Sequence, residues 1–184
     1  MKSLKSVLLI AAALIFSSSS AQDTLSFEKL VQWDANPVES QGNTGTCWSF
    51  STSSFLESEL IRTNKGKHNL SEIFIARQVY VRKAENYVGR HGKAQYGEGS
   101  LAHDELNAID RFGIVPTEVF DGLQQNSEKH NHAELAYVLK SFLNAIVRNV
   151  GGKLSPVWKE AYSALLDVYL GEVPEKFIYQ GKSY

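Results

Sequence analysis

A chain with one cysteine cannot close an internal disulfide. Cys47 is the only cysteine among 184 residues, which leaves the fold to the packing of its apolar side chains. These make up 43% of the chain against 21% charged residues, a globular balance and not a disordered one. The length allows one domain, or half of a larger one. Net charge is -1, and no Lys/Arg run is long enough to grip a phosphate backbone. This argues against a polyanion-binding surface, and nucleic acid is a poor partner.

The first residues read as a targeting segment. Residues 1–6 carry Lys2 and Lys5, residues 7–16 are the apolar run VLLIAAALIF, and residues 17–21 are small, with Ser19 and Ala21 before a cleavage point. That is the pattern of a secretory signal peptide. Ten apolar residues are too few to span a bilayer, which takes about 20. The expectation is an exported protein, periplasmic or secreted, with residues 1–21 removed near Ala21, no membrane attachment afterwards, and a mature domain from 22 to 184. In an oxidising compartment Cys47 is then a free thiol, either reactive or a small buried hydrophobe.

Its surroundings favour reactivity. After Cys47 the pattern turns helical, with Trp48, Phe55, Leu56 and Leu60, and Asn64-Lys65-Gly66 as a stop. Cys47 is thus placed at the first turn of a helix, where free N–H groups and the helix dipole favour an anion such as a thiolate. Gly42 and Gly45 allow the preceding loop to bring its backbone close to a substrate. Gln41, six residues upstream, supplies an amide donor for the oxyanion that forms when a thiolate attacks a carbonyl, beside the N–H of Cys47 itself.

The stretch Gln41-Gly42-Asn43-Thr44-Gly45-Thr46-Cys47-Trp48-Ser49-Phe50-Ser51 resembles the active-site segment of papain-like cysteine peptidases. That family has glutamine six residues before the nucleophile, glycine two before it and an aromatic directly after. The resemblance implies an α+β papain-like fold, with Cys47 as nucleophile, Gln41 as oxyanion donor, and Gly45 and Trp48 beside the substrate. Many secreted members carry a disulfide cysteine where Thr44 stands. Its absence points towards the bleomycin hydrolase and aminopeptidase C branch, and so towards an aminopeptidase acting on peptides.

Further segments agree with that resemblance. Ser71 is a candidate N-cap for a helix with Ile73, Ala76, Tyr80, Ala84 and Tyr87 at helical spacing. Gly97-Glu98-Gly99-Ser100 opens a third helix with Ala102, Leu106, Ile109 and Phe112 on one face, closed by Gly113. It looks like the family's Gly-rich segment, which makes Glu98, Gly99 and Ser100 substrate-binding candidates. A plain loop ahead of a helix is the alternative. Leu135, Leu139, Phe142, Leu143, Ile146 and Val150 form a broad apolar stripe ending at Gly151-Gly152. Ser155-Pro156 reads as an N-cap and first helical position, followed by Trp158, Ala161, Leu165 and Val168 and a stop at Gly171. Residues 177–179 read as one brief strand.

A thiol needs a base, and in this chemistry it is a histidine oriented by asparagine or aspartate. The family places them about 130–150 residues after the cysteine, and the last histidine here is His132. His132 heads an amphipathic stretch and reads as a solvated helix start; His103 reads as a surface helix residue. The expectation is that these 184 residues are chiefly the helical lobe, with the β-rich lobe carrying His and Asn largely absent. The chain alone is then inactive, while the full-length enzyme hydrolyses peptides and has the option of forming a homo-oligomer. Two other readings stand beside it. One is a non-catalytic helical remnant that binds a peptide or partner. The other is a different thiol acyl-transfer enzyme using His103 or His132 as base. No zinc-ligand spacing and no phosphate-binding glycine loop occur in the sequence, so no metal and no cofactor are expected.

Overall fold

The computed structural model describes residues 26–123, 127–148 and 153–184. The leader assigned to 1–21, and residues 150–152 at the end of the fourth apolar stripe, lie outside them. Residues 26–32 belong to a unit of their own, Met1–Gln32, and carry neither helix nor strand. The described residues of the second unit, Trp33–Tyr184, hold five helices: α1 (Cys47–Arg62), α2 (Glu72–Gly89), α3 (Ala102–Phe112), α4 (Ala133–Val147) and α5 (Trp158–Leu170). A two-stranded hairpin follows, β1 (Ile178–Tyr179) and β2 (Lys182–Ser183).

Helix α2 is the axis, packing against each of the other four. A helix enclosed on most sides must be apolar on most sides, and Ile73-Phe74-Ile75-Ala76 is one uninterrupted buried run. Val79, Tyr80, Ala84, Tyr87 and Val88 extend the core to the far end of α2. Its start is fixed as the sequence implies: the Ser71 hydroxyl accepts the Phe74 N–H at 3.1 Å, a cap contributing about 1 kcal/mol. Gly113 and Gly171 close α3 and α5 at φ +75° and +91°, a backbone region that favours glycine.

Two helix faces differ from the sequence expectation. In α3 the buried residues are Glu105 and Ala108, whereas Leu106 and Phe112 are exposed and Ile109 is half-buried. Two polar contacts turn the helix this way: Ser53 of α1 donates to Glu105 at 2.7 Å, and Arg82 of α2 pairs with Asp104. In α5 the buried line is Trp158, Tyr162, Leu166 and Leu170, with Ala161 and Val168 outside and Leu165 half-buried. That helix is apolar on several sides, so periodicity alone does not choose the face. The Tyr162 hydroxyl decides it, meeting Tyr96 Oη at 2.5 Å and the Tyr80 carbonyl at 3.3 Å. The start of α5 also falls later than expected. Ser155 and Pro156 form a turn whose carbonyl at Ser155 accepts the Trp158 N–H, and Val157 occupies the cap. The α4 stripe stands as expected, with Leu135, Leu139 and Leu143 fully buried.

The brief strand becomes half of a hairpin, pairing Ile178 with Ser183 and Tyr179 with Lys182. Its two-residue turn, Gln180-Gly181, has positive φ at both positions, which matches the twist of paired strands. Phe177 and Tyr184 exchange backbone hydrogen bonds and stack their rings at 5.4 Å.

Truncating a core leucine separates these assignments. Leu143→Ala should cost about 2–5 kcal/mol in urea unfolding, and Val168→Ala should stay within about 0.5 kcal/mol. The reverse ranking would mean that α5 buries its other face.

Candidate active site

Cys47 is the first residue of α1 and is exposed. Thr46, at the cap, is fully buried and makes no side-chain cap bond. Its hydroxyl meets that of Thr44 at 2.5 Å instead. The N–H groups of Ser49 and Phe50 both reach the Thr46 carbonyl, while that of Cys47 takes no partner among the described residues. A helix start leaves its first N–H groups free, so the thiol stands beside an unoccupied donor. Gln41 donates one of its amide hydrogens to the Thr44 carbonyl at 2.6 Å and accepts the Thr44 hydroxyl on its own backbone carbonyl at 2.9 Å. These bonds curl residues 41–44 into a closed loop. The second amide hydrogen of Gln41 has no partner among the described residues.

Two distant segments hold this loop. The first is the stretch just before α4. Asn43 forms a parallel bridge with Asn131: its N–H donates to His130 O at 2.9 Å and its carbonyl accepts the His132 N–H at 3.0 Å. Gly42, at φ +61°, lies against this stretch so closely that a Cβ there would be 2.3 Å from His130 O. The second is the Gly-rich segment. Glu98 Oε1 accepts the Gly45 N–H at 3.2 Å, and the Glu98 carbonyl accepts the Trp48 indole N–H at 3.0 Å. A Cβ on Gly45 would be 2.8 Å from that of Glu98. The close approaches of Gly42 and Gly45 are thus internal ones, to His130 and Glu98.

His132 is buried at 3% exposure, which corrects the solvated helix start expected from sequence. Its backbone is locked to Asn43. Its Nδ1 lies 3.5 Å from Glu98 Oε1 and 3.4 Å from Tyr80 Oη, and its Nε2 is buried without a partner. Burial pushes the Glu98 carboxyl up, but the hydrogen bonds from His132 and Gly45 outweigh it and leave the carboxyl below its ordinary value. Burial, with His132 adding to it, holds the His130 imidazole below its ordinary value. His103 is exposed as expected, 3.7 Å from Asp104. No imidazole is hydrogen-bonded to Cys47 among the described residues. Gly99 and Ser100 continue the Gly-rich segment: the Gly99 carbonyl accepts from Lys83, and the Ser100 hydroxyl donates to Asp104 at 2.5 Å. Glu98 and His132 also line a pocket of about 220 Å³ walled by Tyr80, Tyr96, Leu139 and Lys140.

The carboxylic acids Glu57, Glu72 and Glu105 lie buried where α1, α2 and α3 meet, and sequence reasoning missed them. Glu57 accepts the Leu70 N–H at 2.8 Å, Glu105 accepts from Ser53, and Ser49 donates to the Glu72 carbonyl at 2.9 Å. Burial, reinforced by the neighbouring carboxylates, pushes Glu72 up to about 8 and Glu105 up to about 7. The available signal was Ser53 on the inner face of α1, a small hydroxyl that a buried acid on α3 can engage. No group of side chains able to hold a metal ion occurs among the described residues. No helix among them is long and apolar enough to cross a membrane.

Residues 26–76 match the family described as papain family cysteine protease. Among solved structures, the fold is similar to that of PepW from Lactobacillus rhamnosis HN001 (DR20), with a TM-score of 0.54 and 20% identity. The likeness covers 80% of this chain and 39% of the PepW chain, so this chain spans well under half of that protein's length. No curated protein matches it. The chain therefore resembles papain-like cysteine peptidases around Cys47, and its helices have the arrangement of the helical lobe of a papain-like fold.

The raised carboxyls set a pH dependence. The folded state keeps protons on Glu72 and Glu105 that the unfolded chain loses above 4.5, and each tenfold gain in proton affinity on folding corresponds to about 1.4 kcal/mol. Stability should fall as pH rises from about 5 to 8. Glu105→Gln should be near-neutral at pH 5 and stabilising by about 1–2 kcal/mol at pH 8. Urea unfolding at a series of pH values checks this; an unchanged slope in the variant would show that Glu105 is ionised in the fold.

Proposed function

We propose that this chain is the nucleophile-bearing part of a thiol peptidase. The observation that carries the reading is the exposed Cys47 at the first position of α1, with its own N–H unpartnered among the described residues and the loop ahead of it, which carries Gln41, braced by His130, His132 and Glu98. The match of residues 26–76 to the papain family cysteine protease model supports it. The substrate is a peptide. The Cys47 thiolate attacks the carbonyl carbon, and the oxyanion takes hydrogen bonds from the Cys47 N–H and the Gln41 amide. The C–N bond then breaks, and the amine leaves with the proton that the base had taken from the thiol. Water, deprotonated by the same base, attacks the thioester; the acid departs and the thiol regains its proton.

Neither His103 nor His132 is placed as that base: one is exposed beside Asp104, and the other is buried between Glu98 and Tyr80. In this reading the base is a histidine on a β-rich lobe, as the resemblance implies. Export through the leader at residues 1–21, and a preference for peptide N-termini of the kind found in the bleomycin hydrolase and aminopeptidase C branch, are parts of the same proposal. The apolar run at 7–16 and the threonine at position 44 support them.

The test is hydrolysis of amino-acid amide and internally quenched peptide substrates by the natural gene product. Cys47→Ala should lower turnover by a factor of about 10⁴ or more. Gln41→Ala should lower kcat by about 10²–10³ with little change in KM. Turnover retained in the Cys47 variant would end the reading and favour either a binding remnant or a different nucleophile.

A further inference from the structure

We propose that Glu98 is a positioning residue for Cys47, acting through Gly45 and Trp48 and itself held in place by His132. The proposal rests on the reading of Cys47 as a nucleophile. With one cysteine in the chain, no covalent bridge can tie the motif loop to the Gly-rich segment. Glu98 makes that tie without one. Its carboxylate takes the N–H two residues before the thiol, at 3.2 Å, and its carbonyl takes the indole N–H of the residue after it, at 3.0 Å. One residue thus fastens both flanks of Cys47 from about 50 positions away. The carboxylate is fixed in turn. His132 Nδ1 is 3.5 Å from the same Oε1, and the His132 backbone is bonded to Asn43 in the motif loop. Loop, Gly-rich segment and α4 start close a ring of contacts around the residue that opens α1.

The groups against Glu98 are His132 from the start of α4, Tyr80 from α2 and Tyr96 from its own segment; Lys140 of α4 lines the same pocket, and Lys83 bonds the Gly97 and Gly99 carbonyls. A negative charge near a thiolate opposes its formation, whereas a well-set helix start favours it. These two effects have opposite signs, and that makes the role measurable.

The probe is iodoacetamide. In the full chain it alkylates the single thiol, and its rate is followed from pH 5 to 9.5. Glu98→Ala removes the acceptor for Gly45. If Glu98 positions the loop, the pH at half-maximal rate should lie about 0.5 unit above that of Glu98→Gln as the helix start loosens. Glu98→Gln keeps an oxygen for the Gly45 N–H and should stay at the wild-type value or below it. A Glu98→Ala value equal to or below that of Glu98→Gln would overturn the proposal, since a charge effect alone moves both variants downward together. Should Glu98→Ala fail to fold by circular dichroism, amide exchange on the unmutated chain decides. The Gly45 N–H and the Trp48 indole N–H should be protected relative to exposed amides; fast exchange at both would overturn it. Neither readout uses a peptide. A shifted alkylation profile in a protein that cleaves nothing would sink the peptidase reading and leave the positioning role standing, and the converse holds equally.

Discussion

The enclosure of α2 is the constraint on which the rest depends. Four helices cover it, and its buried residues run along nearly the whole of its length. That helix supplies nearly half of the buried apolar core among the described residues, and the other helices pack around it. It also obliges the chain to deal with acids at the top of α2. Glu72 sits in its first turn, a favourable place for negative charge near a helix start, yet packing makes it dry. Ser53 on α1 answers the buried Glu105 by bonding its carboxyl, while Ser49 bonds the backbone carbonyl of Glu72. The helix that presents the thiol outward therefore presents serines inward, and its small polar residues reflect the acids behind it.

Much of this was legible in the sequence. The cap at Ser71, the stops at Gly113 and Gly171, the thiol at the first position of α1 and the buried stripe of α4 all follow from short-range rules of capping and periodicity. What escaped those rules depends on residues far apart in the chain. Glu98 belongs to a segment that looks like a loop wall, and only its approach to Gly45 and Trp48 reveals its bonds. His132 begins a helix with a charged first turn and so resembles a solvated residue, until the Asn43 pairing draws it inside. The faces of α3 and α5 were chosen by a few polar contacts, Ser53 with Glu105 and Arg82 with Asp104 for one, Tyr162 with Tyr96 and the Tyr80 carbonyl for the other. Hydrophobic periodicity carries no information about such contacts.

The likeness to PepW and the match around Cys47 are independent in kind. One concerns the arrangement of helices over 80% of the chain, and the other the residues from 26 to 76. They meet at α1, where the matched stretch ends its loop and begins its helix. The fold thus accounts for the motif's composition in physical terms. Gly42 and Gly45 are required by neighbours that leave no room for a side chain, and Trp48 is required as an indole donor to the Glu98 carbonyl.

The pairing of Asn43 with Asn131 has a consequence for the order of assembly. It joins positions 88 residues apart, and closing so long a stretch of chain is entropically slow compared with forming any one helix. As the polypeptide leaves the ribosome, α1 and α2 are complete well before the partner of residue 43 exists outside the tunnel. The loop ahead of the thiol is therefore among the last parts to take its native form. A nascent chain carries Cys47 on an unfinished scaffold until residues 130–132 have emerged to pair with Asn43.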